Sequence, residues 1–452
     1  MSFDEHQNPA IKVRKVGVAT VFFMIFCMSA AGAYGIEEMI PASGPGLTII
    51  MLIVLPFFWS IPLGLVSSEL GSAIPQEGGY YKWVQQAMGE FWGFQAGWWR
   101  TVSIYIDSTA YIVLAVSYFS SIVDLTGWQS YLAKVLIVAV LTYFNIRGIR
   151  DVGFVASVLS IIVMLAFLMI TFIGFTHWNY NPFIPFIPPG QTLFQSISEG
   201  IIIGMWMYAG YESMSTMAGE IENPQVIPKA TLISVPAIIA VYVFPTLAGL
   251  GSIGRWQEWA ADGQGASYAD VANLTGSYIL MVVFILAAVS SNVSMYNSYL
   301  ASGSRGFFAI ADDNLAPKIL KKIGKKHGTP YVAILSMAIF NLFFSIFSFE
   351  QLVVLDVFML SFSYVLIYIA AIVFRIKKPD MVRPFKVPLG TKGFVLMCIP
   401  PVLIVFYALF TSGKGEMIGG ILGALSGPVA YFIFKKKYGG LKKDTEVILS
   451  EQ

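Results

Sequence analysis

Two apolar stretches of the chain are interrupted by small residues just before a carboxylate. Residues 22–38 read FFMIFCMSAAGAYGIEE, and residues 206–215 read WMYAGYESMS. In both, glycine and tyrosine precede a glutamate inside a segment that is otherwise long and apolar enough to cross a membrane. Glycine-interrupted segments at corresponding positions of two halves are typical of helices that expose backbone groups to a bound ligand. The two stretches therefore predict a pair of broken helices that face one cavity.

The overall composition indicates a membrane protein. Of the 452 residues, 56% are hydrophobic and 12% are charged, whereas a soluble domain carries about 25% charged residues. The net charge of +2 does not point to a nucleic-acid partner. Cys27 and Cys398 lie in apolar runs, and the three histidines are scattered, so neither a disulfide framework nor a metal site is predicted. No cofactor is expected.

Twelve apolar stretches are each long enough for a membrane-spanning helix of about 20 residues. They lie at 16–42, 46–72, 91–121, 129–146, 152–175, 197–220, 229–253, 276–304, 330–348, 352–375, 393–412 and 416–435. With the N-terminus inside, 24 of the 28 lysine and arginine residues fall in inner segments, and the outer loops keep only Arg255 and Lys414. Short cytoplasmic loops carry such an excess, so a multi-pass protein of the plasma or inner membrane with both termini in the cytoplasm is predicted.

Four ionisable residues fall within the predicted spans and away from their ends, namely Glu37, Arg100, Asp107 and Glu212. A charge at the bilayer centre costs about 2.5–3.5 kcal/mol even on a lenient scale, so each needs a partner or a water-filled cavity. Three acids against one base leave a negative excess that an organic cation or a proton would balance. Alternatively, Asp107 pairs with Arg100 on the same helix face, although about 10 Å of rise separates them.

The residues around the interruptions are predicted to form a substrate site. Freed backbone carbonyls suit an ammonium group, freed amides suit a carboxylate, and aromatic faces attract cations. The alternative is that the glycines only allow close packing of helices; the paired pattern, with an acid after each break, favours a site. The candidate substrate-binding residues are Gly32, Ala33, Tyr34, Gly35, Glu37, Asp107, Trp206, Tyr208, Gly210 and Glu212.

Several motifs resemble the amino acid–polyamine–organocation superfamily of transporters. Residues 215–224, STMAGEIENP, with PKA at 228–230, are similar to the end of its sixth helix, and PQEGGYY at 75–81 with FWGF at 91–94 is similar to its segment between helices two and three. The resemblance implies an all-α membrane protein of twelve transmembrane helices with the LeuT-type fold. Two inverted five-helix repeats would be followed by two C-terminal helices.

The resemblance also divides the chain into segments. These are a cytoplasmic N-terminus at 1–15, a first five-helix repeat at 16–175, an extracellular loop at 176–196, a second inverted repeat at 197–376, helices eleven and twelve at 377–436, and a cytoplasmic tail at 437–452. No cysteine lies between the predicted third and fourth helices, so a disulfide-linked heavy subunit is not expected.

Within the superfamily, AYGIEE at 33–38, Asp107 and NIRG at 145–148 look like the branch that contains plant polyamine–proton symporters. The spacing of Trp206 and Glu212 is shared with bacterial arginine–agmatine antiporters, which implies a substrate-capping tryptophan and a glutamate that couples to protons. One departure concerns the Gly-Ser-Gly triplet that binds an amino acid carboxylate, because residues 31–35 here read AGAYG. This departure disfavours recognition of amino acids.

The sequence thus predicts a secondary active transporter, by proton symport or exchange, of small cationic amines, polyamines or related amino acids. Its partners would be the small-molecule substrate, protons and the lipid bilayer. An amino acid permease that requires the substrate carboxylate is the first alternative. A channel or a transport-like sensor is a remote one, since the chain carries no arginine ladder, filter-like repeat or signalling domain. An enzyme is not predicted, because no nucleophile–base pair or metal cluster is visible.

Overall fold

The protein is described by a computed structural model. It covers residues 15–30, 32–223, 225–259, 266–411 and 414–441. Within these residues the regular structure is α-helical, with short 3-10 helices and one isolated β-bridge between Trp259 and Ala266. Of the predicted terminal segments 1–15 and 437–452, residues 1–14 and 442–452 lie outside the described residues.

Sixteen α-helices follow one another along the described chain. They are α1 (Val18–Ser29), α2 (Met39–Ser43), α3 (Pro45–Phe58), α4 (Ser60–Ala73), α5 (Tyr80–Met88), α6 (Glu90–Ser120), α7 (Gly127–Arg147), α8 (Ile149–Thr176), α9 (Leu193–Met207), α10 (Val226–Ile253), α11 (Tyr268–Asn273), α12 (Tyr278–Asp312), α13 (Tyr331–Phe344), α14 (Phe349–Lys377), α15 (Thr391–Thr411) and α16 (Lys414–Tyr438). The 3-10 helices are Ile36–Glu38, Ser213–Glu220, Trp256–Glu258 and Lys318–Lys321.

Nine helical segments within the described residues are long and apolar enough to cross a membrane. Three shorter apolar helices, α1, α9 and α13, accompany them. The prediction of a multi-pass, all-helical membrane protein is therefore confirmed. α1 and α9 are short because the stretches predicted as spans at 16–42 and 197–220 are interrupted, whereas α13 has only 14 residues of the stretch predicted at 330–348.

The span predicted at 46–72 contains a break that the sequence analysis did not place. α3 ends at Phe58 and α4 begins at Ser60, with Trp59 at φ −120° and ψ −65°. Pro62 follows in the first turn of α4 and has no N–H to bond the carbonyl of Phe58. The missing hydrogen bond explains why the regular helix is interrupted at Trp59.

α6 forms the centre of the bundle together with α12 and α14, which both pack along it. Small residues on α12 allow the close approach, since a Cβ at Gly303 would lie 2.7 Å from Ile104 and one at Gly306 would lie 2.4 Å from Thr101 on α6. α15 and α16 instead expose many large apolar side chains, as expected of helices at a lipid-facing edge.

The two ends of the bundle are distinguished by their connections. At one end, which we call the terminal face, Glu90 at the start of α6 accepts a hydrogen bond from the N–H of Leu441 near the end of the described chain. The opposite end is called the loop face. There Lys134 donates a hydrogen bond to the carbonyl of Ser345, and the N–H of Asn179 donates one to the carbonyl of Gly251.

Candidate functional site

The first broken helix is interrupted between Ser29 and Ile36. α1 ends at Ser29, and a 3-10 helix begins at Ile36, with Gly32 and Gly35 between them at φ of 109° and 95°. Glycine adopts such backbone angles without the strain that other residues incur. A Cβ at Gly35 would also lie 2.9 Å from the ring of Trp206. The predicted interruption is present, and its geometry requires both glycines.

The second interruption follows Met207 at the end of α9. Residues 208–212 form turns and irregular backbone before the 3-10 helix Ser213–Glu220. Gly210 has φ 97°, and a Cβ there would lie 2.1 Å from the carbonyl oxygen of Met28 on α1. The two interruptions, predicted separately from sequence, therefore cross backbone against backbone.

Tyrosine hydroxyls bind several of the carbonyls that the interruptions release. Tyr299 on α12 donates to the carbonyl of Met28. Tyr242 on α10 donates to the carbonyl of Met207 at 2.8 Å and to that of Ser29 at 3.2 Å. An unsatisfied backbone group at membrane depth would be costly, so these hydroxyls stabilise the break in the absence of any ligand.

Glu37 directs its carboxylate back onto the first interruption. The side chain is buried, and its Oε2 accepts a hydrogen bond from the N–H of Gly35 at 2.8 Å. An amide at the start of a helical segment is a favourable place for an anion. The protein's own carboxylate occupies that place here.

A buried ion pair joins the second interruption to α6. The Nε of Arg100 lies 2.5 Å from Oε1 of Glu212, and the two side chains are 1% and 0% exposed. Arg100 also donates to the hydroxyl of Ser213 at 3.0 Å. Tyr364 on α14 donates to Oε2 of Glu212 at 2.8 Å and accepts from the N–H of Gly210 at 3.0 Å. Glu212 thereby links three elements of the bundle.

A further buried acid, Asp356 on α14, was not among the predicted residues. Ser103 on α6 accepts from Arg100 at 2.7 Å and donates to the Asp356 carboxylate. Asp107 lies near enough to interact electrostatically with Asp356. Arg100 is the only basic side chain that the described contacts place among the carboxylates of Asp107, Glu212 and Asp356. Its ion-pair partner is Glu212 rather than Asp107, which was the alternative from sequence.

A small central cavity, of about 10 Å³, lies beside the two interruptions. Trp206 and Tyr111 form part of its wall, with their rings stacked at 5.8 Å, and Nε1 of Trp206 donates to Asp107 at 2.9 Å. The hydroxyls of Ser29 and Tyr34, which also line it, are buried and have no hydrogen-bond partner within the described part of the chain. Free buried hydroxyls in a cavity wall are suited to binding a polar ligand.

The predicted site residues divide between different places. Tyr34 and Trp206 line the central cavity, while Gly210 and Glu212 are connected to it through the crossing of the interruptions. Gly32 and Ala33 provide the buried backbone between α1 and Gly35. Tyr208 is not among the residues that line the central cavity. Its hydroxyl instead donates to the carbonyl of Leu52 at 2.6 Å.

A second cavity, of about 150 Å³, lies towards the loop face. We call it the loop-face cavity; its wall contains Glu37, Tyr118 and Asp270, and none of its ten described lining residues is basic. Tyr34 separates it from the central cavity, since the Tyr34 ring packs at 5.4 Å against Tyr118 and at 5.6 Å against Phe284, which also lines the loop-face cavity.

Ion pairs join the helices at the terminal face. These are Arg305–Glu220 at 2.6 Å, Arg375–Glu69 at 2.5 Å and Lys82–Asp313 at 2.6 Å. Burial alone would raise the pKa of Asp313, but the Lys82 ammonium and the hydrogen bonds from Tyr81 and Gln85 hold that pKa below its usual value. Across the described residues, no group of three or more His, Cys, Asp or Glu side chains could hold a metal ion.

Comparison with known proteins gives a consistent picture. Residues 16–422 match the family model described as amino acid permease. The chain is 34% identical over 402 residues to a probable polyamine transporter of Arabidopsis thaliana, covering 87% of this chain and 79% of the relative. It is 33% identical to polyamine transporter PUT1 of Oryza sativa subsp. japonica, and the match covers 94% of this chain and 80% of that relative. It is 27% identical to the serine/threonine exchanger SteT of Bacillus subtilis, covering 83% and 86%.

Proposed function

The chain belongs to the amino acid permease family, and on that premise we propose that it is a secondary active transporter of small cationic amines or polyamines that works by alternating access. Its relatives named as polyamine transporters and as an amino acid exchanger support transport of one of these two substrate classes, and not enzymatic activity. The choice between the two classes depends on the chemistry of the buried site.

The observation that carries the amine proposal is the negative excess around Arg100. One guanidinium lies among the carboxylates of Asp107, Glu212 and Asp356. A charge buried at membrane depth without compensation is costly, so this cluster favours a cation in the adjoining cavity. We assign the ammonium of the substrate to the region of Asp107, and Trp206, which is hydrogen-bonded to Asp107, would cover it.

Glu212 is the proposed proton-coupling residue. Its ionised carboxylate binds Arg100 and Tyr364 simultaneously. Protonation would remove one charge of the ion pair and so weaken the link between the second interruption and α6. The binding of a proton would in this way alter the connection between moving elements, whether the cycle is symport or exchange.

The amino acid permease remains the second candidate, because the exchanger SteT is among the relatives. An amino acid would need a binding place for its carboxylate. The N–H of Gly35 is already bound by Glu37, so a substrate carboxylate at this position would have to displace that side chain. This contact supports the amine over the amino acid.

The proposed topology has twelve spans with both termini in the cytoplasm of the cell membrane. Each interrupted helix would count as one span, α3 with α4 would form another, and the remaining nine would be the long helices from α6 onwards together with α13. Residues 16–175 and 197–376 would be the two inverted repeats. The terminal face would then be cytoplasmic, and the loop-face cavity would open to the outside.

Uptake into proteoliposomes tests the proposal with a matched pair of substrates. The diamine 1,4-diaminobutane and its parent amino acid, ornithine, differ by one carboxylate. We expect uptake of the diamine but not of ornithine, and abolition of uptake by Asp107→Asn. Loss of accumulation after an ionophore has removed the proton gradient would indicate symport, whereas uptake that persists against internal diamine would indicate exchange. Asp380→Asn, at an exposed position, is the control. Uptake of ornithine without uptake of the diamine would establish the amino acid permease instead.

A further inference from the structure

The loop-face cavity has the features of a cation site that the central cavity does not account for. Two carboxylates, Glu37 and Asp270, lie in its wall, and none of its described lining residues is basic. Asp270 already accepts the N–H of Ser267 at the start of α11, at 2.9 Å. Glu37 likewise accepts the N–H of Gly35, at 2.8 Å. It is 1% exposed and is the more deeply buried of the two carboxylates, so a cationic ligand would compensate its charge the most.

A buried hydroxyl in the same wall points independently to a ligand. Tyr118 on α6 is 6% exposed, and its hydroxyl has no hydrogen-bond partner in the part of the chain that the structure describes. A buried polar group without a partner costs about 1–3 kcal/mol. A ligand that accepts or donates a hydrogen bond in the cavity would remove this cost.

The two cavities lie along one face of α6. Tyr111 lines the central cavity and Tyr118 lines the loop-face cavity. Seven residues separate them, which places their side chains on the same helix face with about 10 Å of rise between them. Asp107 lies one turn further towards the terminal face, on the same side of the helix. A long molecule parallel to α6 could thus contact Asp107 at one end and Tyr118 with Glu37 at the other.

We propose that the loop-face cavity is a second ammonium subsite, formed by Glu37 and Tyr118, which binds the distal nitrogen of a polyamine whose first nitrogen occupies the central cavity. Tyr34 forms the partition between the cavities, so its ring must move aside for the methylene chain to pass, and it then lies against that chain. The subsite selects long polyamines over short diamines and monoamines. This inference rests on the proposed amine transport.

Competition binding to the purified protein tests the subsite with three amines of increasing length. Butylamine has one nitrogen, 1,4-diaminobutane has two, and spermidine extends the same four-carbon diamine by a further aminopropyl arm. In the wild type, spermidine should bind about tenfold more tightly than 1,4-diaminobutane, the ratio expected for one additional charge-assisted hydrogen bond. Equal affinities of spermidine and 1,4-diaminobutane would overturn the proposal.

Glu37→Gln and Tyr118→Phe are the decisive variants. Glutamine keeps an acceptor for the N–H of Gly35, so the interruption is preserved while the charge is lost. The affinity for spermidine should fall about tenfold in Glu37→Gln and about fivefold in Tyr118→Phe, while that for butylamine stays within about twofold. The phenylalanine variant removes only a hydroxyl without a partner and therefore leaves the fold intact.

The other results separate this subsite from the proposed function. If Asp107→Asn abolishes binding of all three amines and the two loop-face variants change none of them, amine transport stands and the subsite does not exist. Equal losses for butylamine and spermidine in Glu37→Gln would place Glu37 in the central site and overturn the subsite. Binding of all three amines that survives Asp107→Asn would refute the proposed cation site, and with it this inference.

Discussion

Replacing Glu212 with glutamine should destabilise the protein by about 3–5 kcal/mol, the cost of leaving one member of a buried ion pair without its partner. Glu212 and Arg100 are 0% and 1% exposed, and their nearest charged atoms are 2.5 Å apart. Glutamine has nearly the same shape and can still accept from Tyr364, so the loss is confined to the charge. Because Arg100 still reaches Asp356 through Ser103, we expect the lower part of this range.

Thermal unfolding of the purified protein measures this cost. An unfolding entropy of about 2.1 cal/mol/K per residue, applied to 452 residues, converts it into a fall in Tm of roughly 3–5 °C. The matched control is Glu258→Gln. Glu258 pairs with Arg255 at 2.9 Å, but both side chains are more than half exposed, and such a pair contributes about 0–1 kcal/mol. Its Tm should therefore change by less than about 1 °C.

A double variant identifies the cause of the effect. Replacing Arg100 and Glu212 together with glutamine removes both members of the pair, although Asp107 and Asp356 remain, so the double variant should be more stable than the sum of the two single changes implies. The reasoning is refuted if Glu212→Gln shifts Tm no more than Glu258→Gln does. It is also refuted if the two single effects simply add, because the pair would then carry no coupling energy.

Two further predictions concern backbone geometry and pH. Gly210→Ala should abolish folded protein, because its Cβ would lie 2.1 Å from a backbone carbonyl oxygen at a φ of 97°. The control is Gly276→Ala, at φ 70° with open space around it, which should still yield folded protein. Equal expression of the two variants would contradict this prediction. The pKa of Asp313 in the folded state is below its usual value, because the Lys82 ammonium lies beside it. Its contribution to the free energy of unfolding is therefore complete above the unfolded-state pKa of about 3.9. That contribution is lost as the pH falls towards the folded-state pKa. The difference in Tm between wild type and Asp313→Asn should therefore be constant from about pH 7 to 5 and shrink below about pH 4; a difference that grows on acidification would contradict the assignment.

The interruptions could be predicted from the sequence because their cause is local. Glycines at Gly32, Gly35 and Gly210 permit positive φ, and a glutamate follows each break. These features can be read in a single line of sequence. The long helices could be predicted for the same reason, because the length of an apolar stretch can also be read directly from the sequence. The break at Trp59 was missed, although Pro62 indicated it, because a long apolar run conceals a local interruption.

The partners of the buried charges could not be predicted, because they depend on how distant helices pack. Arg100 and Glu212 are 112 residues apart, and the periodicity of one helix instead offered Asp107 as the partner. Asp356 was missed since it lies close to the start of the span predicted at 352–375, where a charge would contact water. In the structure α14 begins at Phe349, and the packing of α6 against α14 buries Asp356.

The basic residues of the terminal face show a second limit of reading the sequence alone. Arg305 and Arg375 were counted as indicators of orientation, yet both are buried in ion pairs, with Glu220 and Glu69. In such a pair the cost of desolvation roughly offsets the Coulomb attraction, so water can replace the partner with little net change in free energy. An apolar seal would instead resist opening by about 25 cal/mol for each Å² exposed. Closure by ion pairs therefore suits a face that opens and closes in the proposed transport cycle, because it excludes water without making either state much the more stable.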